Sequence, residues 1–135
     1  MTIVNVRALT PGDPTVCYVG RGSRGWRPSP LGNPFGVGKA KAPFTARTRD
    51  EAIVAYRWYL WAALHDKTFA LLPVDVYEPT RGEWVRKVAV PLRRVVIVAE
   101  FERMTEDTRL GCRCEPLPCH AAVIEKAWYF WRSKQ

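Results

Sequence analysis

A stretch rich in glycine and proline over residues 20–41 limits the fold of this chain more than any other feature. It holds six of the nine glycines and three of the eleven prolines. Proline fixes φ and lacks a backbone donor, and glycine disfavours the interiors of helices and strands, so regular structure is not expected there. A loop of this length in a compact domain is usually functional or disordered. The sequence therefore predicts a long loop, with the regular elements on either side of it.

Local patterns predict strands and helices at both ends of the chain. Residues 3–7 and 16–19 have apolar patterns typical of strands and are expected to pair as a hairpin. Residues 48–51 form a capping box, which predicts a helix that runs to about Leu64. A last helix is expected from about residue 119 to residue 131.

The middle of the chain is predicted to be β structure. Two apolar segments, 74–77 and 84–90, flank a turn-like sequence at 79–82. The continuous apolar run at 95–99 is typical of a strand covered on both faces. The expected fold class is therefore α/β, with a small mixed sheet flanked by helices, of the Rossmann-like nucleotide-binding type.

The length and composition indicate one cytoplasmic domain over residues 1–135. The chain can bury a single core, and no apolar run approaches the roughly 20 residues that a membrane helix needs. The first residues lack the features of a signal peptide. In a reducing compartment the four cysteines are expected to bind metal or to react rather than to form disulfides.

A formal net charge of +8 favours phosphate-bearing partners. A nucleotide, a nucleobase or a nucleic acid is therefore the expected partner, and a membrane is not. An effect on solubility alone is the alternative. The six tryptophans fit either a dimer or a well-filled core, so the oligomeric state is left open.

A cluster of cysteine and histidine near the C-terminus is the first candidate site. Zinc binds thiolate and imidazole tetrahedrally. The candidate zinc ligands are Cys112, Cys114, Cys119 and His120, although the Cys-x-Cys spacing and the adjacent Cys119 and His120 are awkward. Alternatively, Cys119 is a catalytic thiol at a helix N-terminus and His120 is its base or proton shuttle. In a third interpretation the thiols are small buried residues and Cys119 only caps the helix.

The long loop supplies the candidate ligand-binding residues. Arginine holds phosphate in a bidentate fork, and glycine lets the backbone approach a ligand closely. Trp26 and Phe35 could stack on a base or anchor the loop to the core. The candidates are Gly20, Arg21, Arg24, Asn33, Pro34 and Phe35.

These motifs together resemble a bacterial and viral family known as domain of unknown function 4326. The matching segments are Asn5-Val6-Arg7, Tyr18-Val19-Gly20-Arg21, Leu31-Gly32-Asn33-Pro34-Phe35, residues 49–53 and residues 110–120. The resemblance implies that the loop and the Cys-His cluster belong to one site. It also suggests a link to phage genomes and to modified nucleobases such as 7-deazaguanines. Residues 74–104 depart from the family pattern, so a β-rich insertion is expected there.

Two functions follow from these features. The first is an enzyme that acts on a nucleotide or a modified nucleobase through Cys119 and His120, directly or with zinc. In that interpretation Arg21, Arg24 and Asn33 hold the phosphate or the base. The alternative is a non-catalytic module that binds nucleic acid or a signalling nucleotide, in which the cysteines and His120 are structural.

Overall fold

The structure is a computed structural model. It describes residues 1–23, 25–39, 41–90, 93–113 and 119–135. Two predicted site residues, Arg24 and Cys114, lie outside these ranges. No helix in the described part of the chain is long and apolar enough to cross a bilayer.

The described elements form a mixed α/β fold with two small sheets and three α-helices, which confirms the predicted mixture of helices and strands. The Rossmann-like nucleotide-binding type stays a prediction. The strands are β1 (Thr2–Asn5), β2 (Val16–Tyr18), β3 (Phe35–Val37), β4 (Phe44–Ala46), β5 (Phe69–Glu78), β6 (Glu83–Ala89) and β7 (Arg109–Cys112). The helices are α1 (Arg49–Leu64), α2 (Arg93–Arg103) and α3 (His120–Ser133), with a short 3-10 helix at Val6–Ala8. The strands and helices belong to two compact units. The expectation of a single domain with an insertion stays a prediction.

The first unit comprises Met1–Gly32 and Val96–Gln135 and contains a three-stranded parallel sheet. The strand order is β1-β7-β2, with β7 parallel to both neighbours. A Cβ added at Gly111 in β7 would lie 2.6 Å from a methyl group of Val6 and 2.7 Å from one of Val16. Glycine is therefore required where these two side chains close over the central strand.

This sheet corrects the predicted hairpin. β1 and β2 are not paired with each other, because β7 lies between them. An apolar pattern defines the faces of a strand but does not identify its partner, and here the partner follows about 90 residues later in the chain. The predicted last helix is confirmed as α3, whose Ile124 and Trp128 are buried.

The second unit comprises Asn33–Val95, with helix α1 packed on a four-stranded sheet of order β3-β4-β5-β6. β3 and β4 are parallel, and the other pairs are antiparallel. The hydroxyl of Thr48 accepts a hydrogen bond from the Glu51 amide at 3.1 Å, so α1 begins and ends as predicted. The predicted β structure around the 79–82 turn is also confirmed, as the hairpin of β5 and β6.

The long loop is shorter than predicted, because residues Phe35–Val37 form β3 and pair with β4. A strand of three residues is too short to show a period of two. Its pairing with β4 is a tertiary contact that the local composition does not reveal.

The predicted strand at residues 95–99 is wrong, since these residues lie in helix α2. Ile97 and Phe101, four residues apart, are 1% and 0% exposed, whereas Val95 and Val96 are 71% and 41% exposed. That is helical periodicity. Valine and isoleucine favour strands only weakly, and burial of one helical stripe overrides this preference.

Truncation of Ile97 and Val95 tests the assignment of α2. Ile97→Ala is expected to lower the free energy of unfolding by about 3 kcal/mol, because it leaves a cavity in the core. Val95→Ala is expected to change it by less than about 0.5 kcal/mol, because the side chain is in solvent. Chemical denaturation of both variants measures the difference. In a strand the two side chains would share one face, and similar losses from both variants would contradict the helix.

Candidate functional site

The carboxyl edge of the three-stranded sheet brings several predicted site residues together. Because β1, β2 and β7 are parallel, their ends at Asn5, Tyr18 and Cys112 lie at the same edge. Ligands of open α/β sheets bind outside this edge. The segments that leave it include the start of the glycine-rich loop and the chain that leads to α3.

A pocket of about 460 Å³ lies in this unit and is called here the arginine pocket. Its lining residues are Val6, Arg7, Leu9, Pro11, Ser23, Trp26 and Arg113. Arg7 follows β1 and Arg113 follows β7 directly, so both guanidinium groups come from the carboxyl edge. The Asn5 side chain accepts a hydrogen bond from the Arg7 amide at 2.8 Å and holds this turn in place. The pocket therefore combines two cations with an aromatic wall.

The aromatic wall is fixed by a tight turn in the glycine-rich loop. The backbones of Ser23 and Trp26 exchange hydrogen bonds of 3.1 and 2.8 Å. Gly25 has φ of +78°, and a Cβ there would lie 2.4 Å from Cβ of Pro11. Glycine is therefore needed at this position, because other residues disfavour this φ and because a side chain would clash with Pro11. The Trp26 ring is 8% exposed and stacks on Tyr18 at 5.5 Å.

His120 is buried at the start of α3 and is tied to the end of β2. Its Nε2 lies 2.5 Å from the Val19 carbonyl oxygen. Since a carbonyl only accepts, Nε2 carries the proton and Nδ1 is left as an acceptor. Burial lowers the pKa of His120 to about 4; the hydrogen bond to Val19 opposes this, and the charge of Arg21 adds to it. The imidazole is therefore neutral at physiological pH.

Cys119 caps helix α3 and faces the acceptor nitrogen of His120. Its Sγ lies 3.5 Å from Nδ1 of His120 and accepts a hydrogen bond from the Ala121 amide, also at 3.5 Å. The side chain is 7% exposed. In this arrangement a thiol donates its proton to a neutral imidazole, at the positive end of a helix. The sequence therefore correctly predicted that Cys119 and His120 open the last helix.

The same two atoms have the spacing of neighbouring zinc ligands. With zinc bonds of 2.3 Å to sulfur and 2.0–2.1 Å to nitrogen, a tetrahedral site separates them by about 3.6 Å. The Nε2 hydrogen bond to a carbonyl is also typical of metal-bound histidine. Among the residues that the structure describes, however, no three His, Cys, Asp or Glu side chains form a metal-binding group. Cys112 is buried at the end of β7, and a zinc site here would need a ligand such as Cys114.

The predicted ligand-binding residues divide between the two units. Gly20 and Arg21 follow β2 at the carboxyl edge, and the Gly20 carbonyl accepts from the Ser29 amide at 2.9 Å. Arg21 is exposed and close enough to His120 to lower its pKa.

The second unit contains Asn33, Pro34 and Phe35, all buried. The Asn33 side chain accepts from the Phe35 amide at 2.9 Å and donates to the Ala52 carbonyl at 3.4 Å. It therefore fastens this turn to α1. A role for these three residues in ligand binding stays a prediction.

Sequence reasoning missed Arg7 and Arg113 as pocket residues. Arg7 is the last residue of the strand predicted at 3–7, and its position at a strand end was the available signal. Arg113 had no such signal, because β7 was not among the predicted strands. The signal could be used only with the strand order, because a shared carboxyl edge requires that β1 and β7 be parallel neighbours.

Comparison with known proteins gives one result. A family model described as Domain of unknown function (DUF4326) matches residues 6–129. This range includes the arginine pocket, Cys119 and His120. No curated protein and no solved structure matches the chain.

The buried His120 predicts a loss of stability in mild acid. Its pKa falls from 6.5 to about 4 on folding, so the unfolded chain binds the additional proton between these values. Stability should therefore fall as pH drops from 6.5 to 4, by about 3 kcal/mol at most. The free energy of unfolding is measured against pH for the native chain, for His120→Gln and for the control His65→Gln. The slope in this window should shrink only in His120→Gln, and an unchanged slope there would show that His120 is not its source.

Proposed function

The chain belongs to the DUF4326 family, and we propose that it is an enzyme that binds a nucleotide or nucleobase-like ligand in the arginine pocket and acts on it through Cys119 and His120. The lining of the pocket carries this proposal. Two arginines and a buried tryptophan meet at the carboxyl edge of a parallel sheet. This is the edge that Rossmann-like proteins use for nucleotides.

Each part of the lining matches one part of such a ligand. The guanidinium groups of Arg7 and Arg113 suit a phosphate, which they would hold by charge-assisted hydrogen bonds. Trp26 offers an apolar surface to a base, and Ser23 offers a hydroxyl. A volume of about 460 Å³ lies in the ordinary range for sites of small ligands. The net charge of +8 favours the approach of an anion from solution.

The chemistry is assigned to the thiol of Cys119. Nδ1 of His120 would accept the thiol proton while sulfur adds to an electrophilic C=N or C=O carbon of the ligand. The π electron pair would move to the ligand nitrogen or oxygen, which would take up the proton from the imidazolium. The low pKa of His120 opposes this transfer in the free protein. A phosphate bound by Arg21 would cancel only the smaller part of this shift that comes from its charge, because burial is the larger cause and remains.

A zinc-dependent form of the same proposal uses the same atoms. Cys112, Cys114, Cys119 and His120 would hold the ion, and the observed distance between Sγ and Nδ1 of 3.5 Å suits it. With all four bound, the tetrahedral ion would be closed and structural. Zinc would supply a Lewis acid and an activated water only if one of the four left its position open. Cys119 would then be a ligand rather than a nucleophile.

The second candidate is a non-catalytic module that binds a nucleic acid or a signalling nucleotide. One observation favours it: Cys119 and His120 are both buried, and both make hydrogen bonds to the main chain. Such contacts suit structural residues. In this case the arginine pocket would bind the nucleic acid or the signalling nucleotide without converting it to a product.

Substitution in the arginine pocket tests ligand binding. Arg7→Gln and Arg113→Gln should each weaken binding of a guanosine mononucleotide by about ten-fold or more, because each removes a charged donor. Arg27→Gln is the control, since Arg27 is an exposed arginine that is next to Trp26 in the glycine-rich loop but outside the lining. Calorimetry measures the dissociation constants. If the protein prefers a single strand of about 20 bases, with steep salt dependence, the binding module is the better description.

Native mass spectrometry separates the two chemistries of Cys119. Zinc would add a mass increment that is lost on acidification, because protons displace zinc from its thiolate and imidazole ligands. It would also be lost in Cys119→Ser but not in the control Cys17→Ser. Without an increment, iodoacetamide should modify Cys119 in the free protein and more slowly once mononucleotide is bound, because the reacting carbon of the ligand would lie against Sγ. An unmodified Cys119 with no metal would support the binding module.

A further inference from the structure

The second unit contains a separate small pocket of about 220 Å³, called here the tyrosine pocket. Its walls are mostly apolar and include Pro34, Pro43, Phe44 and Val90. Two polar side chains, Tyr59 and Arg93, complete the lining. Rigid proline rings and an aromatic ring make a slot that suits a flat, apolar group.

The second polar group of the pocket is the hydroxyl of Tyr59. Tyr59 is 4% exposed, and its ring packs edge-on against Phe35 at 5.8 Å. No residue in the described part of the chain accepts a hydrogen bond from its hydroxyl. Burial raises the pKa of Tyr59, so this hydroxyl keeps its proton at neutral pH, and the nearby charge of Arg93 partly opposes the shift. Tyr59 lines the pocket, so its hydroxyl can donate a hydrogen bond to an acceptor on a ligand.

Arg93 supplies a positive charge to the same pocket. Its side chain is half-buried, and no carboxylate among the described residues forms an ion pair with it. Its neighbour Arg94, by contrast, lies 3.4 Å from a carboxylate oxygen of Asp66. The first turn of α2 contains no acidic residue. A partly desolvated cation without a counter-ion is stabilised by an anion that enters the pocket.

We propose that the tyrosine pocket binds a small aromatic carboxylate, with its carboxylate on Arg93 and the Tyr59 hydroxyl and its ring between Pro34, Pro43 and Phe44. The volume suits a ligand of benzoate size and is below the usual range for nucleotide-sized ligands. The site is independent of the arginine pocket, since its lining lies wholly in the second unit.

Binding of benzoate to the full chain tests the proposal, with neutral benzamide as the probe of equal shape. Benzoate should bind saturably to one site, and benzamide should bind at least about ten-fold more weakly, because it lacks the charge that Arg93 recognises. Ligand-observed NMR titration measures both. Arg93→Gln should weaken benzoate binding by about ten-fold or more, and Tyr59→Phe should weaken it while it preserves the packing of the ring.

The matched controls are Arg94→Gln, next to Arg93 but paired with Asp66, and Arg7→Gln in the arginine pocket. Neither should change benzoate binding. The proposal is wrong if benzoate does not bind saturably, if benzamide binds equally well, or if Arg94→Gln costs as much as Arg93→Gln. Benzoate binding that survives Arg93→Gln and is lost in Arg7→Gln would place the anion in the arginine pocket. That result would overturn this inference and leave the proposed function intact.

Discussion

The hydrogen bond from Nε2 of His120 to the Val19 carbonyl joins two parts of the first unit that lie 101 residues apart in sequence. It fixes the start of α3 against the end of β2, where the glycine-rich loop begins. It also keeps the proton on Nε2, so that Nδ1 must face Cys119 as an acceptor. The interpretations of Cys119 as a nucleophile and as a zinc ligand beside Nδ1 depend on that tautomer, whereas its hydrogen bond to the Ala121 amide at the start of α3 does not. Since both groups are buried, loss of either partner would leave the other unsatisfied.

Elements with local signals were predictable, and elements defined by distant partners were not. Thr48 marks the start of α1 because capping uses residues three apart, and the turn at 79–82 marks the β5–β6 hairpin in the same way. The pairing of β1 with β7 has no local signal. The valine-rich run of α2 has no clear local signal either, because its strand preference conflicts with its helical pattern of burial. The burial of Ile97 in the folded protein decides that this run is a helix.

The candidate site shows the same division. Cys119 and His120 were predictable because their residue types and their place before an apolar helix are visible in the sequence. Arg7 and Arg113 required the order of strands. Asn33 shows the opposite case: an asparagine in a glycine-rich loop suggests a ligand contact, yet its hydrogen bonds to Phe35 and Ala52 hold the main chain of the second unit. That turn also places Pro34 in the wall of the tyrosine pocket.

The position of β7 between β1 and β2 has a consequence for the order of folding. Thr2 pairs with Arg109, so the sheet of the first unit cannot form until the chain beyond residue 109 has left the ribosome. The second unit, Asn33–Val95, is continuous in sequence and is synthesised earlier. It can fold while β1 and β2 still lack a partner strand. The first unit, which carries the arginine pocket and the Cys-His pair, is therefore the last to be completed. Until then the unpaired edges of β1 and β2 can form incorrect pairs with other strands.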